Sequence, residues 1–257
     1  MKFSSYRPAI SVVSVLLFLL LWEVLCSLFS IREIVLPRPS QVFTTLLVRF
    51  PDIARHLGQT LGTTVVGFVL GSLLGGLAGA ALGWSRSAYA AIYPILAGVY
   101  SIPKAAFVPI LVLWFGAGAV PAILAALIGA LLPVAVNVAN GVSTLEPEMQ
   151  DTMIALRARR QDMMRYLAIP RSLPTFGASL KVSFSLALVG SVVSEMAASN
   201  QGLGNVMMIA IASYDTPLAF AALALLSGVG MLAFALLSGL ERRLAFWAHR
   251  EQMLALA

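Results

Sequence analysis

Charge is what this chain lacks most. Only 11% of its 257 residues are Asp, Glu, Lys or Arg, against about 25% in an ordinary soluble domain. Sixty per cent are apolar, and the mean hydropathy is +0.91. Such a composition excludes a water-soluble globular domain. Cysteine is nearly absent: Cys26 stands alone inside an apolar run, which excludes an intrachain disulfide and a thiolate-held metal cluster. His56 and His249 are far apart and belong to no metal-ligand spacing, so no metal site is expected. No nucleophile, base and orienting acid fall together, and no G-x-x-x-x-G-K-[ST] occurs, so the chain is not expected to be an enzyme, to hold a cofactor or to hydrolyse a nucleotide by itself. The net charge of +6 does not point to nucleic acid, because the basic residues flank apolar runs, where they set membrane orientation.

What the chain has is apolar runs. A helix needs about 20 apolar residues to cross the hydrocarbon core. Runs bounded by Pro, Gly and charge predict an all-α polytopic membrane protein with about six spans, near 9–29, 60–83, 88–116, 120–142, 176–198 and 217–239, forming one transmembrane domain over 1–257. The first run has a basic start, "MKFSSYR". It is too long for a signal core and lacks a clean cleavage site, so it reads as a retained helix. In the third, Pro103 and Pro109 flank Lys104 and predict a kink.

With a cytoplasmic N-terminus, the inside segments hold Lys2, Arg7, Arg86, Arg157, Arg159, Arg160, Arg165, Arg171, Arg242, Arg243 and Arg250. The outside would hold Arg32, Arg38, Arg49 and Arg55, all in one loop. That asymmetry places both termini in the cytoplasm. The outside loop 31–59 reads as "LPRPSQV" followed by an amphipathic helix that Pro51 divides. The later outside segment, "SNQGLGNVMMIAIASYDTP", reads as a turn and then a short re-entrant or interfacial helix ending at Pro217.

Gly67, Gly71, Gly75, Gly79 and Gly83 recur at every fourth position of the second span, along one slowly drifting face. A face without side chains admits a second helix closely, so these glycines predict a packing ridge. Polar groups are costly within the spans. Lys104, beside the Pro103 kink, is the stronger candidate for a translocation path, with Asn137 and Glu195 behind it. Lys181 lies near the cytoplasmic end and is expected to snorkel, and Glu195 lies near enough to the outer end to reach the surface.

The exception to the apolar pattern is the segment 143–175. "PEMQDTMIAL" opens with Pro147 and early acids, including Glu148, which suit a helix N-terminus. "RQDMMRYLA" predicts a second short helix that stops before Pro170, since the residue before proline avoids the helical region. Met149, Met153 and Leu156 share a face of the first helix; Met163, Met164 and Leu167 cluster on the second. A helical hairpin with methionine-rich edges and a basic rim reads as a protein-docking element. The alternative is a lipid anchor, at about 1 kcal/mol per basic residue near an anionic surface.

Specific spacing favours docking. The segment resembles the "EAA" loop of permeases of binding-protein-dependent ABC importers, E-A-A-x-x-x-G followed after nine residues by I-x-L-P. Asp151 takes the glutamate position, Thr152 and Met153 the alanines, Arg157 the glycine, Leu167 the isoleucine, Ile169 the leucine and Pro170 the proline. "LPRPSQV", "IPKAAFVPILVLWFG" and "EMAASNQGLGNVMM" are similar to the nitrate, sulfonate and taurine branch, which includes carriers of vitamin precursors and aromatic acids. The resemblance runs collinearly from about Leu36 to about Trp247. It implies a homodimeric permease in the cell inner membrane. Its cytoplasmic loop would dock on an ABC ATPase dimer, and an extracytoplasmic solute-binding protein would deliver the substrate. Glu148, Asp151, Met153, Leu156, Arg157, Leu167 and Pro170 are the expected coupling residues. Arg157 departs from the pattern. A left-handed turn residue costs an L-amino acid roughly 1–2 kcal/mol, so either the turn shifts, the strain is accepted, or Arg157 meets an acidic group on the ATPase. Two other classes compete. A self-contained secondary transporter or channel would need repeat-related intramembrane acids, whereas Glu23 and Glu195 lie near span ends; a membrane scaffold would have no outside partner.

Overall fold

The computed structural model describes residues 7–145 and 147–244. Regular structure among them is entirely helical. In chain order it comprises α1 (Arg7–Leu28), α2 (Pro39–Gly83), α3 (Arg86–Ser101), a 3-10 turn (Lys104–Phe107), α4 (Val108–Phe115) and α5 (Ala119–Ser143). Then come α6 (Pro147–Ala155), α7 (Arg160–Met163), a π turn (Met164–Ala168), α8 (Ile169–Ala198), α9 (Leu203–Ala212) and α10 (Thr216–Leu244).

Among the described residues, four helical stretches are long and apolar enough to cross a membrane: Phe50–Gly83, Ala119–Ser143, Gln161–Ala198 and Thr216–Arg243. Shorter apolar helices occupy Val12–Leu28, Ala105–Phe115 and Leu203–Ala212. The expected third span is interrupted rather than merely kinked, with α3 and α4 separated around Pro103 by the 3-10 turn.

Helix α5 is the centre of the molecule, packed between α2 and α8 through missing side chains. A Cβ placed on Gly71 would lie 2.5 Å from the Leu127 carbonyl oxygen, and one on Gly79 would lie 2.5 Å from that of Ala135. Gly67, Gly75 and Gly83 press equally closely on α5, so the ridge is a backbone-to-backbone contact. The opposite face of α5 repeats the arrangement reciprocally. Gly129 meets the Leu186 carbonyl of α8, and Gly190 of α8 meets the Ala125 carbonyl. Ala122, Ala126 and Ala130 between them are fully buried. Outside this slab the apolar side chains of α1 and α10 face outwards, among them Leu16, Phe18, Leu20, Met231 and Leu236. In water such a belt would aggregate; against lipid it is an ordinary boundary.

Two boundaries depart from the sequence expectation. Helix α2 is continuous over 45 residues, so the amphipathic helix expected in loop 31–59 is its N-terminal half and Pro51 does not divide it. Packing outweighs the missing hydrogen bond. Ile53, just past Pro51, is buried in a cluster with Leu203, Val206, Ala222 and Leu226. Nor does a helix stop before Pro170: Ile169 is helical at φ −63°, ψ −51°, and its N–H donates to the Met164 carbonyl five residues back. The wider π turn supplies the room that a proline ring denies to an α turn. Expected loop 143–175 therefore ends inside α8, and α7 runs into that helix without a break.

Candidate functional site

Two places concentrate polar groups, one at each end of the bundle. At the end carrying the arginines, α6 begins at Pro147 with Glu148 in its first turn and closes on Arg157. Arg157 adopts φ +54°. Its N–H donates to the Ile154 carbonyl at 2.9 Å and that of Ala158 to the Met153 carbonyl at 3.0 Å, the paired bonds of a Schellman cap. The turn is therefore not shifted, and Arg157 itself takes the glycine role. Ser30 and Tyr214, at φ 49° and 58°, terminate α1 and α9 with the same bond pattern. Because three helices accept this conformation without glycine, the backbone at Arg157 requires no outside partner to explain it. Asp162 then starts α7 by accepting the Arg159 N–H at 2.9 Å, the carboxylate reaching back over the first turn.

The surface of this hairpin differs from the methionine-edged one that spacing predicts. Met149, Met153, Met163 and Met164 are half-buried, and Met164 packs against a cluster that includes Val138 and Val142 of α5 and Leu180 of α8. With Trp84, Val142 and Gln150, Met163 and Met164 line a groove of about 490 Å³ beneath the hairpin. The outward apolar surface is instead made by Ile154 (61% exposed), Leu156 (73%) and Tyr166 (67%), with the Arg165 guanidinium 5.8 Å from the Tyr166 ring centre. Glu148, Asp151 and Arg157 are exposed around it, whereas Leu167 and Pro170 are half-buried at the root of α8.

At the other end, Glu195 is 1% exposed and does not reach the surface. Its carboxylate accepts from the Thr60 hydroxyl at 2.8 Å, the Gly204 N–H at 3.1 Å and the Thr63 hydroxyl at 3.3 Å. Thr63 also pairs with Ser191 at 2.7 Å. Thr60 in turn accepts the Leu203 N–H at 2.8 Å, and His56 Nδ1 accepts the Gly202 N–H at 3.1 Å. Three successive N–H groups at the start of α9, those of Gly202, Leu203 and Gly204, ordinarily orphans, thus terminate on side chains of α2 and α8. Glycine is required at this joint. Gly202 has φ +102°, and a Cβ there would run into the Glu195 carboxylate, while one on Gly204 would sit 2.8 Å from Glu195 Cβ.

The remaining polar candidates are scattered. Asn137 is exposed, its amide donating to the Pro133 carbonyl of its own helix at 2.8 Å. Lys104 opens the 3-10 turn; its side chain lies outside what the structure describes. Asn137 and Glu195 are not brought together: Glu195 is sealed in its cluster and Asn137 lies on an open face of α5. Lys181 does not snorkel alone but pairs with Glu241 of α10 at 2.6 Å, both side chains mostly buried. Sequence reasoning missed His56, Thr60, Thr63, Ser191 and Glu241. A signal existed for some: Thr60 and Thr63, and separately Ser191 and Glu195, share helix faces at three- and four-residue spacing in otherwise apolar runs.

A family model described as the binding-protein-dependent transport system inner membrane component matches residues 67–246. The chain belongs to that family. It is a permease subunit of an ABC importer, a multi-pass inner-membrane protein. A formylaminopyrimidine transport permease of Halalkalibacterium halodurans is 27% identical over 96% of this chain and 99% of its own. A riboflavin transport system permease of Chloroflexus aurantiacus is 34% identical over 65% of this chain and 62% of its own. The taurine transport system permease of Escherichia coli is 26% identical over 95% of this chain and 91% of its own. Among solved structures, an inward-facing MetNI methionine ABC transporter chain superposes with a TM-score of 0.66 at 20% identity, covering 75% of this chain and 95% of that one. That likeness is one of fold.

Proposed function

We propose that this permease works as a homodimer and crosses the membrane about six times with both termini cytoplasmic, α3, the 3-10 turn and α4 together making one crossing. It carries a small solute of the kinds named for its relatives, a sulfonate such as taurine or a vitamin-related heterocycle. An extracytoplasmic binding protein delivers the solute, and a separate ABC ATPase dimer docks on the segment 147–169. The observation that carries this reading is the hairpin. Its outward apolar surface of Ile154, Leu156 and Tyr166 is ringed by Glu148, Asp151 and Arg157, and it passes through the π turn into α8 without a break. A hairpin joined rigidly to a membrane helix converts a displacement of its partner into a displacement of the span. A lipid anchor would need no such join. Lys104 and Asn137 remain proposed contributors to the path.

Purification with its neighbours tests this. A P-loop ATPase should copurify, and a soluble binding protein should stimulate its turnover. Leu156→Asp places a charge in the centre of the docking surface and should abolish copurification and uptake while the permease still inserts; retained copurification would refute the hairpin as the docking surface. Lys104→Ala should cut uptake with the complex intact, and normal uptake would remove Lys104 from the path.

A further inference from the structure

We infer that Glu195 is a positioning residue that makes α9 a moving part of α8, so that the outer short helix is carried by the same rod that the hairpin drives. The inference rests on the importer reading above. Helix α9 has ten residues, too few to span a bilayer. Its inner face is packed by Leu203 and Val206 against Ile53, Leu188 and Val192, and its outer face presents Met208, Ile209 and Ile211.

The attachment at its N-terminus is unusual in having no bond to neighbouring loop backbone at three successive groups. Gly202 donates to His56, Leu203 to Thr60 and Gly204 to Glu195. Two of these acceptors are on α2 and one on α8, and the Thr60 hydroxyl joins them by donating to Glu195. Glu195 is therefore the keystone. It bonds α9 directly and holds Thr60, which bonds the preceding N–H. A carboxyl oxygen at a helix N-terminus also accepts from an N–H that the helix itself leaves without a partner, and in a buried place no water replaces a lost acceptor. Among the described residues, no cation from any packed element lies among the carboxylate's bonding partners; the facing groups are Thr60, Thr63 and the α9 backbone. Removing the carboxylate would break the bond from α9 to α8 and release the hydroxyl of Thr60, leaving α9 with its bonds to α2 and its apolar packing and free to lag behind α8. The apolar outer face of α9 would then close or open the path out of step with ATP turnover.

The test uses the full-length permease assembled with its ATPase and binding protein in liposomes, comparing wild type, Glu195→Ala, Thr60→Val and Thr60→Ser. Hydrogen exchange over residues 199–212 should accelerate by about tenfold or more in Glu195→Ala, as expected for losing buried hydrogen bonds, with α5 unchanged. Solute moved per ATP hydrolysed should fall by a similar factor while ATPase turnover persists. Thr60→Val should behave likewise, and Thr60→Ser, which keeps the hydroxyl, should restore the ratio. Unchanged exchange, or faster exchange with an intact ratio, overturns the inference. So does a proportional loss of uptake and ATPase, which marks a merely structural role. If Glu195→Ala fails to assemble, the Thr60 pair decides by the same readings. Absence of ATP-driven uptake by the wild-type complex would instead refute the importer reading, and this proposal with it.

Discussion

Arg157 shows how far one position was legible. Register alone marked it as the residue that needs a left-handed backbone, and φ +54° is what it has. The accompanying idea of an acidic ATPase partner loses its motive, since Ser30 and Tyr214 do the same in other caps. Arg157→Gly removes an αL cost of roughly 1–2 kcal/mol but adds unfolded-state entropy of comparable size, so uptake and assembly should stay within about twofold of wild type. A tenfold fall, read by copurification, would assign the guanidinium a contact after all. Arg157→Val, β-branched at positive φ, should destabilise the hairpin by at least about 1 kcal/mol, visible as faster proteolysis or exchange across 147–168. Lys181 was legible as a costly residue but not as half of a pair, because Glu241 lies 60 positions away and only the fold joins them. Lys181→Met should lower stability by about 3 kcal/mol by leaving Glu241 buried and uncompensated. Adding Glu241→Gln should recover most of that loss in a thermal unfolding assay.

For whole elements, periodicity served well where backbone meets backbone. The four-residue glycine repeat of α2 was readable as a packing ridge, and its partner proved to be α5. The ridge separates the glycines of that helix into two kinds. Gly71→Val should destabilise the slab by about 3 kcal/mol or more, since backbone lies where the side chain must go. Gly62→Ala meets nothing within 4 Å and should be neutral or stabilising by roughly 0.5–1 kcal/mol. Thermal unfolding in detergent distinguishes the two, and equal effects would contradict the packing. Local rules failed at prolines. Pro51 and Pro170 both sit within continuous helix, the first held by the burial of Ile53 and the second admitted by the π turn. Neither compensation is visible in neighbouring sequence. The methionines misled for a related reason: helical spacing identifies a shared face but not the direction it points.

For the molecule as a whole, composition sufficed to place the chain in a membrane, and the asymmetry of Lys and Arg to propose its orientation. Only the three-dimensional arrangement could join residues 56–63, 191–195 and 202–204 into one buried cluster. The proposed orientation has a direct check. With Cys26 fully buried, single cysteines at the exposed positions Asn200 and Leu156 should react with an impermeant maleimide on opposite faces, the one at Asn200 in intact cells and the one at Leu156 only after permeabilisation. Reversed labelling would invert the topology.

The run from Gln161 to Ala198 is 38 residues in one helical piece, about 57 Å at 1.5 Å per residue, and α2 is longer still. A hydrocarbon core of about 30 Å cannot cover either. Rods that cannot shorten answer a change in bilayer thickness by leaning, and here Glu195 pins the end of α8 to the middle of α2 while both lie against the same central helix. Lipid chain length should therefore act on this transporter as a tuning variable, biasing which way the hairpin points before any nucleotide binds.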